Sequence, residues 1–208
     1  MVASIPLPAT QTVVIIQDPD GVIAGARQCP SPHADARPTG CGVELVVLHG
    51  ISLPPGRFGG PWIERLFTGQ LLSHWHPYLD HLRQLRVSSH LLIRRGGELV
   101  QFVPLAQRAW HAGASRFGNR ERCNDFAVGI ELEGDDDTPY TEPQYACLVP
   151  LLSALMRRYA ALTPDRVVGH EHIAPGRKTD PGRAFDWARL ERELGIPAPV
   201  PQPAPTRG

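Results

Sequence analysis

Residues 43–50 read VELVVLHG. The run from Val43 to Leu48 is mostly apolar and valine-rich, and it gives way at once to His49 and Gly50. This pattern predicts a buried strand whose last residue opens onto a loop. Two further segments carry the same signature. Phe126–Glu133, FAVGIELE, alternates and predicts a strand bearing Glu131 and Glu133; Arg166–His170, RVVGH, predicts a short strand. Three strands thus finish at polar residues: His49, Glu131 with Glu133, and His170. Polar side chains gathered along one loop edge of a sheet are how mixed α/β folds build sites.

Working outward, Pro61 opens a short helix over PWIERLFTG that closes near Gly69. Residues 73–86 show weak helical periodicity. Ser88–Val103 predicts a hairpin around Gly96-Gly97. Thr141-Glu142-Pro143 starts the longest helix, running to about Tyr159, and Pro150 should kink it or mark a second segment. Phe185–Leu194 is a closing helix. Strands and helices interleave irregularly, which predicts an α/β (α+β) fold: a single mixed β-sheet flanked by helices.

The chain has 208 residues and a mass of 22.8 kDa, enough for one domain with some additional chain. A hydrophobic content of 42% excludes wholesale disorder. Lys+Arg 21 against Asp+Glu 21 gives no net charge. Such a chain lacks the footprint of a nucleic-acid binder and the basic excess that holds proteins on anionic membranes. The opening residues carry no basic segment, and the apolar run 13–16 is too short for a signal-peptide core. Cys29, Cys41, Cys123 and Cys147 form no C-x-x-C pair and read as thiols of a reducing compartment, so a cytoplasmic location is expected. Five prolines in residues 197–208 predict an extended, solvated tail.

The densest chemistry lies in Val167–Gly182, VVGHEHIAPGRKTDPG. His170 follows a strand. Pro175-Gly176 and Pro181-Gly182 shape a loop that folds back to bring Asp180 beside it. With His49 from another strand end, the set is two imidazoles and one carboxylate. On a divalent cation these leave a net charge of about +1, which suits zinc with an open fourth position. Two other readings stand beside this one: a ligand pair His170-x-His172, and a Pro/Gly-rich surface loop without metal. Lys178 is the only lysine among the 21 basic residues. Near a metal it would stabilise charge building on a carbonyl oxygen; elsewhere it is a solvated ammonium. Glu131 is a carboxylate on an otherwise apolar run, placed to move a proton between water and a leaving amine. Glu131 and Glu133 are two apart and share a face.

These strings together resemble a known family. PSPHADARP, ISLPPGRFGGPWIERLFTG, RVSSHLLIRRGGELVQFVP, RAWHAG, NRERCNDF, GIELEG, IAPGRKTDPG and FDWARL, spread from about Ala24 to Leu190, look like the AmpD-type zinc amidases. That group belongs to the N-acetylmuramoyl-L-alanine amidase type 2 superfamily, which also holds the peptidoglycan recognition proteins. The resemblance implies that His49, His170 and Asp180 are the ligands of one Zn²⁺ per chain, and that His172 is not. It implies Glu131 as the acid/base and Lys178 as the basic residue at the carbonyl. The implied reaction is hydrolysis of the amide between the lactyl group of 1,6-anhydro-N-acetylmuramic acid and L-alanine, in peptidoglycan recycling. The alternative is a module that binds peptidoglycan fragments without cutting them; such relatives typically lack a metal ligand, whereas all three positions are filled here.

On the substrate side, Trp110 can stack on a sugar face, and Arg86, Arg122 and Arg177 are candidate carboxylate clamps. His90 and His111 read as structural. The expected partner is the anhydro-muropeptide alone, with no nucleic acid or membrane, and the expected state is a monomer. Residues 1–23 read as an N-terminal extension, 24–194 as the amidase domain and 195–208 as the Pro-rich tail. Two departures stand out. Gly50 follows His49 where asparagine is expected in relatives, and Pro150 interrupts a helix expected to be continuous.

Overall fold

The protein is described by a computed structural model covering residues 14–72 and 76–200. Six strands form the main sheet: β1 (Arg27–Gln28), β2 (Leu45–Ile51), β3 (Leu91–Ile93), β4 (Leu99–Gln101), β5 (Ala127–Glu133) and β6 (Val167–Gly169). Their order is β6-β2-β5-β3-β4-β1. The β3–β4 hairpin pairs antiparallel and the other neighbours pair parallel, so the sheet is mixed, as expected. Five helices accompany it among the described residues: α1 (Trp62–Phe67), α2 (Pro77–Asp80), α3 (Glu142–Arg158), α4 (His170–Ile173) and α5 (Trp187–Leu194).

Side-chain alternation along β2 and β5 divides the interior into two sides. Val46, Leu48, Val128, Ile130 and Leu132 join Leu148, Leu151, Leu152 and Leu155 of α3 and Leu190 of α5 in one core. The opposite face receives Leu45, Val47, Ala112 and Phe126, and toward the β3–β4 side a further core in which Ile63, Leu66 and Phe67 of α1 meet Leu92 and Val100. Because both faces are covered, all seven residues of β5 are buried.

The long helix starts on a capping box. Thr141 Oγ1 accepts from the Gln144 N–H, and Gln144 Oε1 accepts from the Thr141 N–H at 3.0 Å. Gln144 is fully buried, and its amide also donates to the carbonyls of Ile93 and Glu133, tying the helix start to the ends of β3 and β5. The helix runs through Pro150 as one element of 17 residues rather than as two segments. Each fully buried leucine of α3 contributes roughly 1.5–3 kcal/mol, comparable to the cost of a proline in a helix interior.

The segment expected to be weakly helical yields only the single turn of α2. Its apolar residues present no common buried face: Leu79 is buried, Leu82 partly buried and Leu85 exposed. His170 proves to be the first residue of α4, one position beyond β6. At the two ends of the described chain, a ribbon pairs Ile16–Gln17 with Val22–Ile23 and buries Ile23 in the main core, while residues 195–200 carry no helix or strand. The remaining stretches, 1–13, 73–75 and 201–208, lie outside the described residues, including the last part of the expected tail. No helix of the described residues is long and apolar enough to cross a membrane.

Candidate metal centre

Strand register assembles the site. In the parallel ladder, Leu48 pairs with Gly169 and His49 pairs with Glu131. His170 follows Gly169, so His49 and Glu131, paired on neighbouring strands, meet a third side chain set just past the end of the next strand. The loop after α4 folds back as expected: the Glu171 N–H donates to the Asp180 carbonyl at 2.9 Å, and the Tyr140 hydroxyl donates to the Pro181 carbonyl at 2.9 Å. Asp180 thereby faces both imidazoles.

The three facing atoms form a nearly equilateral triangle. His49 Nδ1 lies 3.0 Å from His170 Nδ1, and each nitrogen lies 3.1 Å from Asp180 Oδ2. The tautomers sharpen this picture. His170 Nε2 lies 3.1 Å from the carbonyl of Ala112, an obligate acceptor, so the ring proton sits on Nε2. With the ring in that tautomer, His170 Nδ1 would turn a lone pair toward a carboxylate oxygen, a contact that a cation held between them makes favourable. Burial, followed by the neighbouring His170, holds the His49 pKa down at about 4, which disfavours a proton there near neutral pH. Burial opposes ionisation of Asp180 as well, but its close contacts with the His170 and His49 imidazoles outweigh it and keep the carboxyl well below the usual range. Two imidazoles and one carboxylate oxygen converge here, and zinc, with bonds of about 2.0–2.2 Å to such donors, fits this set. Among the described residues, this is the group of histidine, cysteine and carboxylate side chains placed to share an ion.

Glu131 is buried beside this triangle. Desolvation, reinforced by the Asp180 charge and opposed by Lys178, raises its pKa well above that of an ordinary carboxylic acid. Its neighbour two residues on serves another purpose. Glu133 accepts from the Gly59 and Arg95 N–H groups and pairs with Arg94 at 3.2 Å, fixing the loop before α1. Lys178 is exposed, and its charge acts on both His49 and Glu131. His172 is turned away from the triangle: its Nδ1 accepts from the Gly169 N–H at 3.0 Å, and its ring meets Trp187 edge-on.

The substrate-side candidates Trp110, Arg122 and Arg177 make contacts of their own. The Trp110 indole N–H donates to Asp35 at 3.2 Å, and the ring stacks near His33. Arg86 is exposed. Arg122 pairs with Asp125 at 3.3 Å, and Arg177 donates to the carbonyls of Ala112 and Ala114 at 2.7 Å. Arg177 thus braces the segment that also receives the His170 N–H.

One functional neighbour was read as merely structural. His111 Nδ1 lies 2.9 Å from His49 Nε2. With His49 Nδ1 turned to the triangle, its proton sits on Nε2 and is donated to His111, the outer-sphere support typical of metal-bound histidines. The ring packs on Gly129, where a Cβ would lie 2.5 Å from His111 Cγ. A glycine in mid-strand, as in AVGIELE, signals such a close approach.

Comparison with known proteins identifies the family. The profile of the Amidase_2 family, N-acetylmuramoyl-L-alanine amidase, matches residues 39–183. The 1,6-anhydro-N-acetylmuramyl-L-alanine amidase AmpD of Citrobacter freundii is 56% identical over 179 residues, covering 86% of this chain and 95% of that protein. The crystal structure of a selenomethionine AmpD derivative superimposes with a TM-score of 0.81 at 55% identity, covering 84% of this chain and 97% of the other. The Escherichia coli amidase AmiD, in complex with anhydro-N-acetylmuramic acid-L-Ala-D-γ-Glu-L-Lys, gives a TM-score of 0.57 at 28% identity, over 78% of this chain and 62% of that one. Taken with a mixed sheet that gathers His49, Glu131, His170 and Asp180 at one edge, these likenesses lead to a single conclusion: the chain belongs to the N-acetylmuramoyl-L-alanine amidase family.

Proposed function

We propose that the protein is a zinc-dependent amidase that hydrolyses the lactyl–L-alanine bond of 1,6-anhydro-N-acetylmuramoyl peptides in peptidoglycan recycling. The observation that carries this reading is the triangle of His49, His170 and Asp180 with Glu131 on the adjacent strand. The substrate follows from the likeness to AmpD proteins over most of both chains, and from the anhydro-muropeptide held by AmiD. Cys29, Cys41, Cys123 and Cys147 are unpaired thiols, which supports the cytoplasm as its compartment.

His49, His170 and Asp180 would hold the ion. Zinc bound there acidifies water and polarises the scissile carbonyl. Glu131, whose raised pKa suits it to hold a proton in transit, takes that proton from the attacking water. It then delivers the proton to the departing alanine nitrogen. Lys178 places an ammonium toward the carbonyl oxygen as negative charge develops. The Ala112 carbonyl and His111 accept the Nε2 protons of His170 and His49 and so aim the two Nδ1 atoms at the ion, while Arg177 braces the segment that carries that carbonyl.

The test is turnover of a purified anhydro-muropeptide. Free peptide and anhydro sugar should form, stop forming on chelation and resume on zinc addition. Glu131→Ala should retain one zinc per chain and lose turnover. Binding of the muropeptide without release of peptide, or full activity in the chelator, would overturn the assignment.

A further inference from the structure

Gly50 sits directly after the ligand His49, yet its side of the strand faces away from the triangle, toward the helix-covered core. A Cβ built there would fall on the Tyr140 hydroxyl oxygen. On the next strand, a Cβ at Gly134 would fall on the same ring. Tyr140 is buried, lies across both glycines, and donates its hydroxyl proton to the carbonyl of Pro181 at 2.9 Å. Pro181 immediately follows Asp180. The loop therefore straddles the sheet edge, with the Asp180 carboxylate on the metal side and the Pro181 carbonyl on the tyrosine side.

We infer that Tyr140 is a positioning residue for Asp180, and that glycine at position 50 is what lets its hydroxyl reach the loop. The inference rests on the metal-site reading above. Without the hydroxyl, the nearest atoms to a Cβ at position 50 would be Pro181 Cα at 3.5 Å and Pro181 O at 3.7 Å, both ordinary contacts. An alanine at 50 thus collides with one atom, the phenol oxygen, which would have to move off the loop. This makes the two positions interdependent in a way that simple packing would not.

The experiment is a double-mutant cycle read as zinc affinity, by competition against a chromophoric chelator. Tyr140→Phe should bind zinc about tenfold more weakly, the low end for loss of an outer-sphere support. Gly50→Ala should do the same, by displacing the hydroxyl. The double variant should bind no more weakly than Tyr140→Phe alone, since the added methyl then fills the vacated space; independent effects would multiply instead. The Co²⁺-substituted single variants should show altered d–d absorption as the Asp180 oxygen shifts. Thermal unfolding in chelator separates loss of metal affinity from loss of fold. Should Gly50→Ala not fold, Tyr140→Phe decides alone. Unchanged zinc affinity in Tyr140→Phe, or multiplying effects in the cycle, would overturn the inference while leaving the zinc site standing. A parent protein that binds no zinc would instead overturn the site itself.

Discussion

Replacing His111 by phenylalanine sets two effects of opposite sign against each other. His111 Nδ1 accepts the proton of His49 Nε2 at 2.9 Å, so its own proton lies on Nε2. That Nε2 is shielded from solvent and has no hydrogen-bond partner among the described residues. An unsatisfied group of this kind costs about 1–3 kcal/mol, which the variant recovers. The variant also strands the His49 N–H, at a similar cost. The phenyl ring keeps the stack on Gly129, so stability of the metal-free fold should change by no more than about 1 kcal/mol. Metal affinity has no such compensation. Losing the group that orients a ligand imidazole should weaken zinc binding by about 10–100-fold, or about 1.4–2.7 kcal/mol. Urea unfolding in chelator gives the first quantity and a zinc competition titration the second. Zinc affinity equal to the parent would refute the orienting role, whatever the stability result.

Other perturbations have equally defined outcomes. Asp180→Ala should lose stoichiometric zinc by elemental analysis, while far-UV circular dichroism stays unchanged. Burial, with the nearby Arg37 charge, holds the His90 pKa at about 3 against an ordinary value of 6.5. The unfolded chain therefore binds a proton that the folded chain refuses, and stability falls as pH drops from about 6.5 toward 3, by at most about 1.4 kcal/mol per pH unit from this group. Calorimetric proton uptake on unfolding at pH 5.5 should drop by about one when His90 is replaced by glutamine. Leu152→Ala, at the fully buried centre of α3, should cost about 2–5 kcal/mol in urea unfolding.

Much of this centre was legible from residue order. VELVVLH, GIELE and RVVGH each announced a strand with a polar residue at its loop end, and the Pro-Gly pairs flanking Arg177–Asp180 announced a loop that turns back. What residue order did not convey was strand adjacency, and the site depends on adjacency. Nothing local to TPYTEP marks Tyr140 as reaching Pro181, because that contact crosses the sheet edge. His111 looked structural because its role exists only through a partner 62 residues away. Arg122 and Arg177 also meet acceptors within the protein, which sequence spacing does not reveal. Residues 76–86 misled in the opposite direction: intermittent leucines mimic helical periodicity, but only Leu79 and Leu82 find the core and Leu85 is left exposed, so a single turn forms.

The pairing of His49 with Glu131 has a wider consequence. Neighbouring strands in a ladder lie about 4.8 Å apart, a pitch dictated by peptide hydrogen bonds and indifferent to side chains. The separation between the Glu131 carboxylate and the His49 imidazole is therefore gauged by the backbone lattice itself. Loops around the rim can lengthen, shorten or change sequence over evolutionary time, and that gauge stays constant. Only a slip of one residue between these two strands would spoil it, and such a slip would also turn Leu48 and Ile130 out of the hydrocarbon interior.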